Sequence, residues 1–240
     1  MRQQFRVLGA VAIAGLVAGG LSACTAKNTF EDDASLSEKI TSVRLDSSAS
    51  NITVQGKDGA GAVSVHRKVE YDHDRPGVTA KVENGVLVLN GCGRDCSVNY
   101  TVAVPAGLPV SGKVTAGTIT LSRVGAVQVT TTDGSIDLDG VAGAVEAHTS
   151  NGTINGRALN GDRITAETDN GTINLAPATA QSVRAKTSSG AITVTAPAGQ
   201  YRVTAQTSNG DTNIGVTNDP AGQYQLDLRS SNGTITVKSA

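Results

Sequence analysis

The chain has 240 residues, a formal net charge of −1 and a hydrophobic fraction of 38%, which is enough apolar material for a folded core. Only 2% of the residues are aromatic and tryptophan is absent, so small aliphatic side chains must fill that core. The near-balance of charge, without a basic patch or interleaved aromatic residues, excludes the usual pattern of a nucleic-acid-binding protein. Three histidines leave little acid–base material that titrates near neutrality.

Residues 1–23 have the pattern of a signal peptide. Arg2 and Arg6 make the N-terminal region positively charged, and residues 7–21 form an apolar run that is too short for a comfortable membrane span. The run ends in Leu-Ser-Ala-Cys at residues 21–24, which resembles the lipobox of bacterial lipoproteins. The resemblance implies cleavage before Cys24, acylation of its sulfur and display from the extracytoplasmic side of the cell membrane. The alternative is an ordinary secretory signal with an incidental cysteine.

Residues 24–39 are predicted to form a lipidated tether. The segment is polar and acidic, with Phe30 as its only aromatic residue. Such a composition is typical of chain that buries too little apolar surface to fold alone. We therefore place the folded domain at residues 40–240.

One repeated phrase runs through that domain. Its last six copies are TTDGSI, TSNGTI, TDNGTI, TSSGAI, TSNGDT and SSNGTI, and their glycines are spaced by 18, 19, 19, 20 and 23 residues. Apolar residues occupy every second position on both sides of the glycine, which is the period of a strand and not of a helix. Each copy is therefore predicted to be a strand, a tight corner and a second strand. The six glycines are Gly134, Gly152, Gly171, Gly190, Gly210 and Gly233.

The same template extends upstream in three less regular copies. They are centred on Ser50, Gly85 and Gly117, and are 35 and 32 residues apart, so they carry insertions. The chain thus offers nine candidate tiers. Val124, Val141 and Leu159, each seven residues after its glycine, suggest a third short side in each coil.

Two folds compete for this pattern. Asn-Gly between alternating strands is the strongest short-range signal of a β-hairpin, so an antiparallel meander is one candidate. However, residue types match between copies at equal offsets better than they match across each turn. A parallel stack places such positions like on like, with Asn and Gly supplying left-handed backbone at the corners. We predict an all-β, single-stranded parallel β-solenoid with coils of about 19 residues and a less regular N-terminal part.

Cys92 and Cys96 are predicted to form a disulfide, because paired cysteines in an exported protein favour one. A metal pair and a redox centre are the alternatives. A metal site usually needs a second pair of ligands, and a redox pair usually has two intervening residues.

The remaining candidates for chemistry are two small clusters. His66, with Asp72, His73 and Asp74, has the ligand types of a zinc site, but three adjacent residues of a strand cannot all point one way. Asp133, Asp137 and Asp139 have the oxygen ligands of a calcium site but lack the paired-glycine nonapeptide of calcium-binding β-rolls. A solvated turn and a polar outer face are the simpler interpretations. We predict no catalytic residue, no metal site and no cofactor.

The segment VPAGLPV at residues 104–110, followed by tiers of the form VxVxTxxGxIxL, resembles a bacterial envelope family of unknown function that is usually labelled "putative adhesin". The resemblance implies a β-solenoid and offers no catalytic residues. It favours a non-enzymatic envelope lipoprotein, an adhesin-like binding or structural module whose partners are the membrane, through its lipid, and an envelope glycan or protein. The alternatives are an accessory or sensory component of an envelope-stress system and a polysaccharide-acting β-helix enzyme.

Overall fold

The computed structural model describes residues 27–59 and 61–240, which form 21 β-strands and contain no helix. The strands are β1 (Asn28–Leu36), β2 (Ser42–Ala49), β3 (Ile52–Lys57), β4 (Val63–Tyr71), β5 (Ala80–Glu83), β6 (Val86–Asn90), β7 (Cys96–Pro105), β8 (Val110–Ala116), β9 (Ile119–Ser122), β10 (Val127–Asp133), β11 (Ile136–Asp139), β12 (Val145–Asn151), β13 (Ile154–Leu159), β14 (Arg163–Asn170), β15 (Ile173–Pro177), β16 (Ser182–Ser189), β17 (Ile192–Ala196), β18 (Tyr201–Asn209), β19 (Thr212–Ile214), β20 (Tyr224–Asn232) and β21 (Ile235–Ser239). Within these ranges no helix is long and apolar enough to cross a bilayer.

The strands form two sheets that face each other across one core. The first sheet has the order β1-β4-β7-β3-β9-β11-β13-β15-β17-β21-β19, and the second has the order β18-β20-β16-β14-β12-β10-β8-β2-β6-β5. Each tier contributes the strand before its corner to the second sheet and the strand after it to the first. Neighbouring tiers pair in parallel, as in a β-solenoid and not as in a meander of hairpins.

Strand register places residues of the same type on one another, as their equal offsets from the corner glycines predict. Ile136 pairs with Ile154, and Ile154 pairs with Ile173. All three side chains are fully buried, and they continue a column of isoleucines at the same offset. Burial of apolar surface contributes about 25 cal/mol per Å², so this column is a principal source of stability.

The predicted third side exists as a ladder of backbone hydrogen bonds. The amide N–H of Ala142 donates to the Val124 carbonyl, that of Asn160 to Val141, and that of Ala178 to Leu159. The side chains of Val124, Val141 and Leu159 close the core on this side with no exposed surface.

The corner glycines are required by close approach between tiers. A Cβ atom added at Gly152 would lie 2.0 Å from the carbonyl oxygen of Gly134, and one at Gly171 would lie 1.9 Å from that of Gly152. The sequence-based explanation, left-handed backbone at every corner, is therefore incomplete, because Gly171 lacks a positive φ. What the corners share is a glycine packed directly on the carbonyl of the tier beneath it.

In four of the corners, those of Gly134, Gly152, Gly171 and Gly190, the threonine three residues before the glycine is buried and completes the corner. The Thr149 hydroxyl donates to the Gly134 carbonyl at 2.9 Å, and the Thr168 hydroxyl to the Gly152 carbonyl at 3.1 Å. Thr149 has no exposed surface. These hydroxyls satisfy buried carbonyl oxygens that would otherwise lack this partner, so they are structural and unavailable for display.

The last two tiers are stacked in the reverse of their chain order. Strands β20 and β21 lie between the tier of β16 and β17 and the tier of β18 and β19. The reason is in the side chains: the β20–β21 tier presents Leu226, Leu228, Ile235 and Val237, all buried, whereas the β18–β19 tier has Thr212 at the matching offset of Ile235. The more apolar tier takes the position that is covered on both sides.

At the N-terminal end the structure departs from the regular template. Asn84 and Gly85 have positive φ values of 52° and 79° and connect β5 to β6 as an antiparallel hairpin in the second sheet. The prediction of a solenoid corner at Gly85 is therefore wrong, and the hairpin interpretation of Asn-Gly applies there. Strand β4 also pairs antiparallel with β7.

Part of the segment assigned to a tether is a strand. Residues 28–36 form β1, which pairs antiparallel with β4, so the predicted boundary of the folded domain at residue 40 differs from the structure. The physical reason is charge complementarity between EDD of β1 and HRK of β4. Asp32 binds Arg67 through two hydrogen bonds, and Phe30 packs edge-on against Tyr71 with ring centroids 5.8 Å apart.

Candidate functional site

Over the regular tiers from β8 onward, the outer faces of the two sheets differ in charge. The outer face of the second sheet, from β8 to β20, carries acidic and basic side chains that pair with each other. Arg229 contacts Asp227 at 2.9 Å, and Arg184 contacts Glu167 at 3.9 Å. Exposed pairs of this kind stabilise a fold little and keep a surface solvated. This face therefore has the character of a solubilising surface.

The outer face of the first sheet carries a row of mostly uncharged polar side chains, which we call the polar ladder. Strand register places them side by side, one for each strand. In order along the sheet, the polar ladder consists of Thr101, Thr53, Thr120, Asp137, Asn155, Asn174, Thr193, Thr236 and Asn213.

The centre of the polar ladder is ordered by its own hydrogen bonds. The Asn155 side-chain amide donates to Asp137 Oδ1 at 2.8 Å, and the Asn174 amide donates to Asn155 Oδ1 at 3.0 Å. Each amide is therefore held in one orientation, with its second N–H and the remaining oxygen lone pairs directed away from these bonds. The ladder presents donors and acceptors at the strand spacing of about 4.8 Å.

A shallow depression of about 630 Å³ lies over the middle of the polar ladder. One side of the depression is formed by the neighbouring row of outward residues. In that row Ala176 pairs with Arg157, and its short side chain leaves space above the sheet. Arg157 contacts Asp139 at 2.9 Å, and this hydrogen bond raises the pKa of the Arg157 guanidinium above its ordinary value. Gly156 contributes only backbone to the floor, where Leu159 and Leu175 occupy the space that a side chain would need.

The depression offers a ligand hydrogen-bonding groups of several kinds. It combines amide, hydroxyl and carboxylate groups with one guanidinium, which together recognise neutral polar ligands rich in hydroxyl groups. The candidate acids, Asp137 and Asp139, already bind Asn155 and Arg157. No histidine, cysteine or lysine lines this depression.

The structure joins Cys92 and Cys96 in a disulfide, as predicted, with their Cα atoms 5.7 Å apart. The bridge closes the loop between β6 and β7, and both cysteines pack against the core. Cys24, the predicted lipidation site, and the predicted signal peptide lie outside the described residues.

The histidine cluster is not assembled into one site. His66 lies on β4 and its Nδ1 atom contacts Asp33 at 2.9 Å, whereas His73 lies in the exposed turn that follows β4. His148 lies on the outer face of the second sheet, opposite Glu167. Across residues 27–59 and 61–240 no three histidine, cysteine, aspartate or glutamate side chains are placed to hold a metal ion.

Sequence reasoning singled out Asp137 and Asp139 but missed Asn155, Asn174 and Thr193. The signal was available, because every member of the polar ladder from Thr120 onward lies three residues after its corner glycine. The apolar offsets predict the core, and the polar offset between them predicts the outer face. In a solenoid, the residues at that intervening offset stack into a continuous surface.

Comparison with known proteins identifies a family and a set of remote structural relatives. Residues 33–238 match the family described as Toastrack DUF4097. This match confirms the resemblance to a family of unknown function. No curated protein matches the chain.

Three solved structures are similar to the chain at 13% identity. A "putative adhesin" from Parabacteroides distasonis has a TM-score of 0.48, with 88% of this chain and 98% of that chain covered. A "putative adhesin" from Bacteroides fragilis has a TM-score of 0.44, with 90% and 99% covered. A "putative cell adhesion protein" from Clostridium sporogenes has a TM-score of 0.41, with 89% and 100% covered.

Proposed function

We propose that this chain, which belongs to the Toastrack DUF4097 family, is a non-enzymatic, adhesin-like binding module of the cell envelope that holds an envelope glycan on its polar ladder. The observation that carries the proposal is the ordered row Asp137–Asn155–Asn174 beneath an open depression. The repeat of the fold gives this row a fixed spacing, and a polysaccharide is a ligand with a repeat of its own.

The contrast between the two outer faces supports a glycan as the ligand. A sugar presents neutral hydroxyl groups that both donate and accept hydrogen bonds. The polar ladder offers amides and hydroxyls that do the same, and these groups are held in place before the ligand arrives. The opposite face, on which charges such as Arg229 and Asp227 pair with each other, offers a neutral ligand fewer free groups.

Catalysis at the same place is the competing function, because Asp137 and Asp139 both line the depression. Glycoside hydrolysis uses two carboxyl groups, both of which must reach the substrate. Here both carboxyl groups are already engaged within the fold, because Asp139 contacts the Arg157 guanidinium and Asp137 accepts a hydrogen bond from the Asn155 amide. We therefore propose binding without turnover.

The binding proposal is tested with the full chain in detergent micelles and a panel of bacterial envelope oligosaccharides. Asn155→Ala with Asn174→Ala removes two hydrogen-bonding amides and is expected to weaken binding about tenfold or more, since each such bond contributes about 0.5–1.5 kcal/mol. Isothermal titration calorimetry measures the affinity. The matched control changes Gln128 and Thr165, outward residues of the second sheet, to alanine and should leave the affinity within about twofold.

Two results would contradict this proposal. One is equal loss of affinity in the control variant, which would place the ligand elsewhere. The other is release of shortened sugars that stops when Asp137 or Asp139 becomes alanine, which would make the protein an enzyme.

We further propose that Cys24 carries the lipid that fixes the protein to the cell membrane, on its extracytoplasmic side. Cys24→Ser is expected to abolish incorporation of a labelled fatty acid and to release the protein from the membrane fraction or leave it unprocessed. Cys92→Ser with Cys96→Ser is the control: it removes the other two cysteines of the chain and should keep both the label and the membrane location. Labelling of the Cys24→Ser protein would refute the proposal.

A further inference from the structure

The two ends of the solenoid are finished differently. At the N-terminal end the outermost strands are β1 and β5, both antiparallel to their neighbours and both charged. Strand β1 carries Glu31, Asp32 and Asp33, and the short strand β5 carries Lys81 and Glu83. Charged or short edge strands are the usual means of preventing pairing with another chain.

At the C-terminal end the outermost strands are β18 and β19, which belong to one tier and remain parallel to their neighbours. Strand β18 carries one charged residue, Arg202, and β19 carries none. Among the strands formed by residues 27–59 and 61–240, β18 pairs only with β20 and β19 only with β21, and one isolated bridge joins Tyr201 of β18 to Asn218. Both sheets therefore end here in an edge with little charge.

Part of the β18 edge is already occupied by the chain itself. The Val203 N–H donates to the Asn218 side-chain oxygen at 2.9 Å, and the Asp219 N–H donates to the Tyr201 carbonyl at 2.8 Å. These contacts show which side of β18 faces outward. Because alternate residues of a parallel strand point to the same neighbour, the backbone groups of Ala205 and Thr207 also face outward.

The same reasoning applies to β19. The Ile235 N–H donates to the Asp211 carbonyl and the Gly215 N–H donates to the Val237 carbonyl, so residues 211, 213 and 215 face the neighbouring strand β21. Thr212 and Ile214 must therefore direct their N–H and C=O groups outward. In every inner tier the equivalent groups pair with a following tier.

The apolar interior is also incompletely covered at this end. Val203 and Ala205 are only partly buried, whereas the matching residues Leu226 and Leu228 of the adjacent tier have 1% and 0% exposure. Ile214 is 38% exposed, and the only other large hydrophobic side chain exposed among the described residues is Val78. A terminal repeat normally needs a polar cap.

We propose that this end is an interface at which two copies of the chain meet end to end, with the β18–β19 tier of one copy on that of the other. A single extended peptide would cover one sheet edge, whereas a second copy covers both edges and the apolar residues between them. The charged N-terminal end does not match, so the contact joins like ends and closes at a dimer. Arg202 and Asp211, of opposite charge, lie on this same tier and can pair between copies.

The test uses the full chain in detergent and sedimentation velocity over a range of protein concentrations. The wild-type chain is expected to show a concentration-dependent dimer. Ile214→Lys places a charge in the interface, and Thr212→Pro removes an outward N–H that has no role within the tier. Each is expected to raise the dimer dissociation constant about tenfold or more. Val78→Lys also replaces an exposed hydrophobic side chain with a charged one, but it lies outside the proposed interface. It should change the dimer dissociation constant by less than about twofold.

Hydrogen exchange on the same samples keeps the test decisive if a variant folds poorly. In the wild-type chain, the amides of Ala205, Thr207, Thr212 and Ile214 should exchange more slowly at high than at low concentration. A monomer at every concentration, a dimer that survives both edge variants, or amide protection that is independent of concentration would each overturn the proposal.

Discussion

Gly152→Ala is expected to lower the free energy of unfolding by about 4 kcal/mol or more, the largest effect that we expect from a single substitution. The added methyl group would lie 2.0 Å from the carbonyl oxygen of Gly134 and 2.6 Å from its carbon, both of which are backbone. Neither atom can move without separating two tiers and breaking the hydrogen bonds between them. Chemical denaturation followed by far-ultraviolet circular dichroism measures the change.

Gly77→Ala is the matched control for that measurement. A Cβ atom at Gly77 would have no atom within 4 Å, so the same substitution should change stability by less than about 0.5 kcal/mol. Equal loss in the two variants would mean that the corner does not need close approach and that glycine acts through chain flexibility alone.

The regular part of the fold could be predicted because its sequence repeats both a pattern and a set of residue types. Alternation identified the strands, and equal residue types at equal offsets distinguished a parallel stack from a meander. The columns through Ile154 and Ile173 follow directly from these offsets. The disulfide between Cys92 and Cys96 was predicted from the preference of paired cysteines in exported proteins for a disulfide.

The irregular parts depend on contacts between segments that are far apart in the sequence. The pairing of β1 with β4 joins residues that lie about 35 positions apart, and it depends on acidic and basic side chains with no periodic signal. The reversed order of the last two tiers depends on the difference in their apolar content. Thr212 in the outer tier occupies the position that Ile235 occupies in the inner one. Asn84-Gly85 has the same residue types as a solenoid corner. It is a hairpin turn because its flanking strands, β5 and β6, pair with each other in one sheet.

The candidate site was only partly predictable for a related reason. The sequence showed that polar residues alternate with core residues along each strand. The charge of each outer face, however, depends on which polar residues the strand register places together. Asp137 was identified from its carboxylate, whereas Asn155 and Asn174 matter only because register makes them neighbours. Threonines occur in both environments, since Thr120 belongs to the polar ladder whereas Thr149 lies inside.

Ile173→Ala is expected to lower the free energy of unfolding by about 2–5 kcal/mol. Its side chain is fully buried and lies between Ile154 and Ile192 in the central column, where neighbours on both sides prevent the cavity from closing. In a repeat fold the damage spreads mainly to adjacent tiers, so part of the loss should appear as local opening. Denaturation gives the global effect, and hydrogen exchange of the β13 and β17 amides gives the local one.

Ile214→Ala makes the same chemical change in the terminal tier and serves as the control, measured at a concentration where the chain is monomeric. Because Ile214 is already 38% exposed, its truncation removes fewer buried contacts and should cost less than about 1 kcal/mol. The difference between the two variants measures how much a tier gains from having a neighbour on each side. If both isoleucines cost the same, the terminal tier must be covered in the monomer, and the column of isoleucines would not be the main source of stability.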